Sequence, residues 1–308
     1  MVSPRSAAVP RHVSVLPAEV LALLAPAPGQ VVVDATVGAG GHARLLAERV
    51  VPGGRLIGLD QDPAMLELAR PRLEGLPVTL VHANFDQLRQ VLDEQGVAAA
   101  DAVLADLGFC SDQLDDAARG LSFQEEGPLD MRLDPTAGEP ASALLNRLSE
   151  RDLADLIYHY GEERFSRRIA RRIVEERRRR RIETTAQLAE LVRRCVPRRG
   201  KPGGSRGHAI DPATRTFQAL RIAVNDELGA LELFLEQLPR CVRPGGVAAV
   251  ISFHSLEDRR VKQAFRDRKR WEPLTPKPVQ AGEDEVRQNP RARSAKLRAA
   301  RRQGEEQG

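Results

Sequence analysis

The chain predicts an α/β fold, a doubly wound sheet interrupted by an all-α insertion, and three observations point there. Short β-branched runs alternate with helical stretches over the first third, each run closing on a polar residue. A glycine cluster opens the first helix of that alternation. Strand character then disappears between about 113 and 211 and returns near 246.

The elements follow in order. Val31-Val32-Val33-Asp34 is a strand that runs into Gly38-Ala39-Gly40-Gly41-His42. Glycines there let backbone approach a ligand more closely than a Cβ permits and adopt positive φ, while the next helix presents unpaired N–H groups. The run Arg55 to Asp60 ends in an acid placed to accept hydrogen bonds from both hydroxyls of a ribose. Asp62-Pro63 caps a helix through Leu73. Val78 to Ala83 ends in Asn84-Phe85-Asp86, and Ala102 to Ala105 ends in Asp106. In an open parallel sheet these carboxyl ends line one crevice, so Asp34, Asp60, Asn84, Phe85 and Asp106 should converge. A dinucleotide turn needs a third glycine where Ala43 stands, which argues against a nicotinamide dehydrogenase. Asp34-x-x-x-Gly38-x-Gly40-Gly41 instead resembles the turn of S-adenosylmethionine enzymes.

Beyond Asp106 come a Gly/Pro/Asp-rich loop (Gly127-Pro128-Leu129-Asp130, Asp134-Pro135) and helical stretches at 149–160, 162–181 and 184–195. A helix over 213–239 leads back to a fifth strand, Gly246 to Phe253, followed by a helix from Glu257 to Arg268. The tail from Asn289 to Arg298 reads as a helix or a closing edge strand. The expected domains are therefore 1–112, a first part of the sheet domain; 113–211, an inserted helical domain; and 212–308, the second part with a basic tail.

At 308 residues the chain can bury one large core or two modest ones. No apolar stretch approaches a membrane span, and residues 1–10 lack the apolar centre of a signal peptide, so a cytoplasmic location is expected. Three cysteines, Cys110, Cys195 and Cys241, have no metal-ligand spacing, which argues against a zinc site or a disulfide framework. A net charge of +4 conceals clusters: Arg167-Arg168, Arg171-Arg172, Arg177 to Arg181, Arg193-Arg194, Arg198-Arg199-Gly200-Lys201 and the tail from Arg291. The pattern suits a polyanion. Ile169, Ile173 and Val174 at helical spacing make part of it the solvated face of an amphipathic helix, and the 198–206 loop is the better phosphate-reaching segment.

His12 to Glu19, Asp34 to His42, Asp106-Leu107-Gly108, Ser111 to Asp115, Gly127 to Arg132, Tyr160 to Arg164, Pro212 to Ile222, Ser252 to Asp258 and Asn289 to Ser294 together resemble the bacterial small-subunit ribosomal RNA cytosine-N4 methyltransferases, in order and across nearly the whole chain. The resemblance implies a class I S-adenosylmethionine methyltransferase (Rossmann-like) sheet with an inserted all-α substrate-recognition domain. It also implies S-adenosyl-L-methionine as cofactor, no metal, and N4-methylation of a cytidine in the decoding region of 16S rRNA within the small ribosomal subunit. Oligomeric state stays open, a homodimer included. Carried over by position, the cofactor residues are Gly40, Gly41, His42, Asp60, Phe85, Asp106 and Gln113; His42 also reads as a first-turn surface residue lending only its backbone N–H.

Cytosine N4 is a poor nucleophile, so the catalyst must polarise the amine and accept its proton; an ionised carboxylate can do this, with Asp106 the first candidate and the Leu107 or Gly108 backbone carbonyls as groups that could share the role. Phe109, His254 and the Gly127 to Arg132 loop are expected around the extruded base. The family reads Val-Ser where this chain reads Phe109-Cys110. Asp106-x-x-Phe109 thus has the spacing of the Asp/Asn-Pro-Pro-Tyr/Phe motif of other amine methyltransferases, with filling of the valine's volume as the plainer role for Phe109. Cys110 raises a rival reading, a C5-cytosine enzyme with a thiolate nucleophile, although no Pro-Cys dipeptide accompanies it. A noncatalytic ribosome-assembly protein would share the basic patches but not a complete cofactor site. Ser255 with Asp258 fits an N-cap box.

Overall fold

The computed structural model describes residues 13–197 and 211–304. The chain divides into two compact units, one from the residues up to Asp112 together with those from Leu228 on, the other Gln113–Glu227. The first unit opens with α1 (Pro17–Leu24), β1 (Val31–Asp34), α2 (Gly41–Val50), β2 (Arg55–Asp60), α3 (Pro63–Leu73), β3 (Val78–His82), α4 (Leu88–Glu94) and β4 (Ala100–Asp106). The helix expected over 63–73 forms as α3, with Pro63 in its first turn and Asp62 Oδ1 accepting the Ala64 N–H at 3.0 Å. A short helix, α5 (Ser111–Asp115), begins in this half and continues past Asp112 into the second unit.

The second unit is helical: α6 (Ala141–Arg147), α7 (Glu150–Gly161), α8 (Ser166–Arg177), α9 (Thr185–Cys195) and α10 (Ala213–Val224). The unit extends to Glu227, beyond the 211 boundary read from the sequence, because α10 packs against α7, α9 and α6. Gly161 lets that packing close, since a Cβ there would stand 2.4 Å from the Arg215 carbonyl oxygen. The helix expected over 213–239 breaks at Asn225-Asp226. Asn225 Oδ1 accepts the Leu133 N–H at 2.7 Å while its Nδ2 donates to the Met131 carbonyl at 2.8 Å, and Asp226 takes φ +45°. A side chain that bonds backbone elsewhere competes with helix continuation. Arg177 is also structural, donating to the Leu145 and Leu148 carbonyls at the end of α6, both at 2.6 Å. Those carbonyls lie where a helix terminus leaves acceptors unpaired.

The chain re-enters the first unit along α11 (Glu227–Cys241), then β5 (Val242–Ser252), α12 (Ser255–Ala264), β6 (Trp271–Pro273), α13 (Glu283–Gln288) and β7 (Lys296–Arg302). The seven strands run β3-β2-β1-β4-β5-β7-β6, with β1 to β5 parallel and β7 antiparallel to both neighbours. The basic tail is therefore a strand, but an internal one rather than the edge. Its apolar residues Leu297, Ala299 and Ala300 are buried while Arg301 stays exposed.

Alternation along each strand divides the core between the two faces of the sheet. Val33, Ile57 and Val103 join one cluster with Phe234 and Trp271; Val32, Leu56 and Leu104 join the other with Leu46 and Ile251. Each fully buried side chain of this size contributes roughly 1.5–3 kcal/mol. Burial on both faces explains why the strands read as continuous apolar runs. Neighbouring parallel strands place Asp34 beside Gly58 and Asp106 beside Ile251, so the polar ends of β1, β2 and β4 meet along one rim. Among the described residues no helix is long and apolar enough to cross a membrane.

Candidate active site

The turn after β1 needs its glycines. Gly38 has φ +51°, and Gly40, which precedes the first residue of α2, has φ +86°. A Cβ on Gly41 would stand 2.1 Å from Ser14 Oγ, so the Ser14 hydroxyl occupies the space a side chain would take here. The turn is tied to the end of β2: Asp60 Oδ2 accepts the Gly38 N–H at 2.7 Å, and Oδ1 accepts the Asp62 N–H at 2.8 Å. Burial pushes the Asp60 carboxyl up to about 6, against the pull of those two N–H groups. Each oxygen keeps a lone pair for a further donor.

Beside this turn lies a carboxyl cluster. Asp34 is fully buried; its Oδ1 accepts the Thr36 N–H at 3.2 Å. Thr36 Oγ1 in turn accepts the Asp106 N–H at 2.6 Å, joining the ends of β1 and β4. Burial raises Asp34 and Asp106 each to about 7. Asp34 Oδ2 and Asp106 Oδ1 are buried with no hydrogen-bond partner among the described residues. His42 is buried, not a surface residue of the first turn, and its Nε2 lies 3.7 Å from Asp106 Oδ2.

Phe85 follows β3 in a 3-10 turn capped by Asn84, half-buried and edge-on to Phe234, ring centroids 5.5 Å apart. Phe109 is half-buried beneath the Arg291 guanidinium, whose central carbon is 5.2 Å from the ring centroid. Cys110 is buried, its Sγ 3.1 Å from Met65 Sδ. His254 caps α12 in place of Ser255: its Nδ1 accepts the Glu257 N–H at 3.4 Å, Glu257 Oε2 accepts the His254 N–H at 3.2 Å, and His254 Nε2 stands 3.2 Å from Glu257 Oε1. The box is one residue earlier than the Ser255 and Asp258 pair suggests, because Asp258 is drawn off by Arg298 at 2.7 Å. Gln113 is buried in α5, at the start of the helical unit.

Residues 10–303 match the sequence model of a family described as the MraW methylase family. The chain belongs to that family. Proteins named ribosomal RNA small subunit methyltransferase H are similar throughout: that of Sorangium cellulosum is 56% identical, covering 96% of this chain and 91% of its own, and that of Deinococcus deserti is 52% identical, covering 94% and 93%. The Geobacter sulfurreducens protein of the same name is 50% identical over 94% of this chain and 98% of its own. Among solved structures, an rRNA methylase from Streptococcus thermophilus aligns with a TM-score of 0.43 at 10% identity, covering 92% of each chain.

As an MraW methylase the protein is an S-adenosylmethionine-dependent enzyme on a class I methyltransferase sheet. The rim fits that cofactor. The turn from Gly38 to Gly41 takes positive φ at Gly38 and Gly40, Asp60 retains acceptors for ribose hydroxyls, and Asp106 keeps a buried acceptor in the adjoining strand end. Sequence reasoning missed three parts of this rim: Ser14, Thr36 and Arg291. Each stands in a stretch that carries the family resemblance, but nothing local says what it touches.

Proposed function

We propose that the protein methylates N4 of a cytidine in the decoding region of small-subunit ribosomal RNA. The observation that carries this reading is Asp106, whose carboxyl at the end of β4 has a buried, unengaged oxygen and is raised to about 7. The small-subunit RNA follows the names of relatives 56% and 52% identical, and the N4 position and decoding region follow the resemblance in sequence. A cytoplasmic site of action accompanies such a substrate.

When bound, S-adenosylmethionine supplies a methyl group on a positively charged sulfur. Asp60 would hold the ribose hydroxyls, Phe85 would lie against the adenine, and the Gly40-Gly41-His42 backbone would approach the methionine end. Gln113 is assigned to the cofactor by the resemblance in sequence alone. Asp106 would accept an N4 hydrogen of the cytosine, returning lone-pair density to nitrogen, and take up the proton as the new bond forms. An acid near 7 is matched to that task at neutral pH. Phe109 would flank the base. His254, its ring turned to Glu257, would support the strand end by capping α12.

The rival C5 chemistry requires a thiolate that attacks the pyrimidine ring. Cys110 sits in the core against Met65, which disfavours it.

For the helical unit we propose a phosphate-binding role. Arg167, Arg168, Arg178, Arg179 and Arg180 are exposed, with no ion pair among the described residues, whereas Arg171, Arg172, Arg181 and Arg194 face glutamates. Arg168 and Arg180 line adjoining clefts between α8 and α9. The 198–206 loop lies outside the described residues.

Nuclease digestion of small-subunit RNA methylated by the purified protein tests the reading. N4-methylcytidine is expected, and 5-methylcytidine would overturn it.

A further inference from the structure

The antiparallel turn of β7 gives the tail a task at the other end of the sheet. Because β7 runs against β5, its first residue, Lys296, lies opposite Ser252, the last residue of β5. The segment just before β7 is thereby delivered to the carboxyl ends of the parallel strands. That segment is a 3-10 turn, Pro290–Ser294, held from three sides. Asn289 Oδ1 accepts the Arg291 N–H at 3.3 Å, Asn289 Nδ2 donates to the Val13 carbonyl at 3.0 Å, and Ala292 and Ala295 are buried.

From this turn Arg291 reaches the segment that follows β4. Its Nη1 donates to Ser111 Oγ at 3.2 Å and its guanidinium lies over the Phe109 ring, 5.2 Å from the centroid. A guanidinium held over an aromatic ring that also makes a directed N–H bond has two contacts that restrict where it can sit. We propose that Arg291 is a positioning residue of the methyl transfer, clamping the Phe109–Ser111 segment beside Asp106 and placing a permanent positive charge next to that carboxylate.

The proposal rests on the N4 reading of Asp106. Four ionisable groups act on that carboxyl from four elements: Asp34 on β1, His42 on α2, Glu257 on α12 and Arg291 on the 3-10 turn. Burial holds the Asp106 proton, and Asp34 and Glu257 add to the effect; Arg291 opposes them. Without Arg291 the carboxyl would stay protonated to higher pH and could not accept the amine proton at neutrality. The clamp and the charge are separable. Lysine keeps the charge but loses the guanidinium contact with the Phe109 ring and the N–H that reaches Ser111, whereas glutamine loses the charge.

The test compares Arg291→Gln and Arg291→Lys in the full chain, with small-subunit RNA as substrate and S-adenosylmethionine affinity by calorimetry as the check of folding. Arg291→Gln should lower kcat at pH 7 by about fivefold and move the acid limb of the kcat profile upward by about one pH unit, so that activity recovers as pH rises. Arg291→Lys should keep the limb within a few tenths of a unit of wild type while KM for RNA rises several-fold. Cofactor affinity should stay within about twofold in both. An unshifted limb in an Arg291→Gln protein that binds cofactor normally overturns the proposal, as does a lysine variant whose limb moves as far as the glutamine variant's. Wild-type product analysis separates the two levels: N4-methylcytidine with an unshifted limb refutes Arg291 alone, whereas 5-methylcytidine refutes the reading on which it rests.

Discussion

The Asp60 carboxylate accepts the Gly38 N–H at 2.7 Å, so the acid that ends β2 also holds the glycine turn that follows β1. Asp60 Oδ1 is engaged in the same way by the Asp62 N–H, and both partners are donors.

Asparagine at position 60 keeps the volume but turns an NH2 group toward one of those donors. Asp60→Asn should weaken S-adenosylmethionine binding by about 2–4 kcal/mol through lost charge-assisted bonds to ribose and a loosened turn. Calorimetry reads it directly, and unchanged affinity in a folded variant would remove Asp60 from the cofactor site.

Asp106→Asn preserves the shape of the strand end and removes the proton acceptor. kcat should fall by about 10²–10⁴-fold with cofactor affinity changed only a few-fold. Equal losses in both would mean that Asp106 serves the cofactor rather than the base.

Asp34 makes stability depend on pH. Its buried carboxyl holds a proton up to about 7, whereas in the unfolded chain it releases one near 3.8. Between those values the native state binds more protons, so this group's contribution to stability falls as pH rises from about 4 to about 7 and then levels off. Asp34→Asn removes the contribution. Denaturant unfolding at several pH values should therefore give a flatter curve for the variant over that window, and identical slopes would refute the assignment.

Cys110→Ser should remain active, since the thiol lies against Met65 and N4 chemistry needs no covalent adduct. RNA carrying 5-fluorocytidine should leave no trapped complex with the wild-type protein. A trapped adduct through Cys110 would restore the C5 mechanism.

Neighbouring arginines should separate by task. Arg177→Ala leaves the Leu145 and Leu148 carbonyls without their donors and should cost about 1–3 kcal/mol of stability. Replacing Arg178, Arg179 and Arg180 together with glutamine should change stability by less than about 0.5 kcal/mol. The same triple change should flatten the dependence of log K for RNA on log salt by about 0.7–0.9 for each phosphate no longer neutralised. An unaltered salt slope would make these arginines a solvated face only.

What the sequence determined by itself is local. A β-branched run ending in an acid, a glycine cluster opening a helix and Asp-Pro capping the next are fixed by sterics and hydrogen bonding within a few residues. Asp34, Gly38 to Gly41, Asp60 and α3 are therefore legible in the sequence itself. Tertiary structure decided what depends on distant partners. Thr36, bonded to Asp34, reaches Asp106 across 70 positions, and Arg291 reaches Ser111 across 180. β7 is internal because β6 takes the edge beyond it, and α10 belongs with the helical unit because of what it packs against. The His254 cap shifted by one residue because Arg298, on β7, claims Asp258. The values near 7 at Asp34 and Asp106 come chiefly from burial, and burial is a property of everything folded around a carboxyl, which no window of neighbouring residues contains.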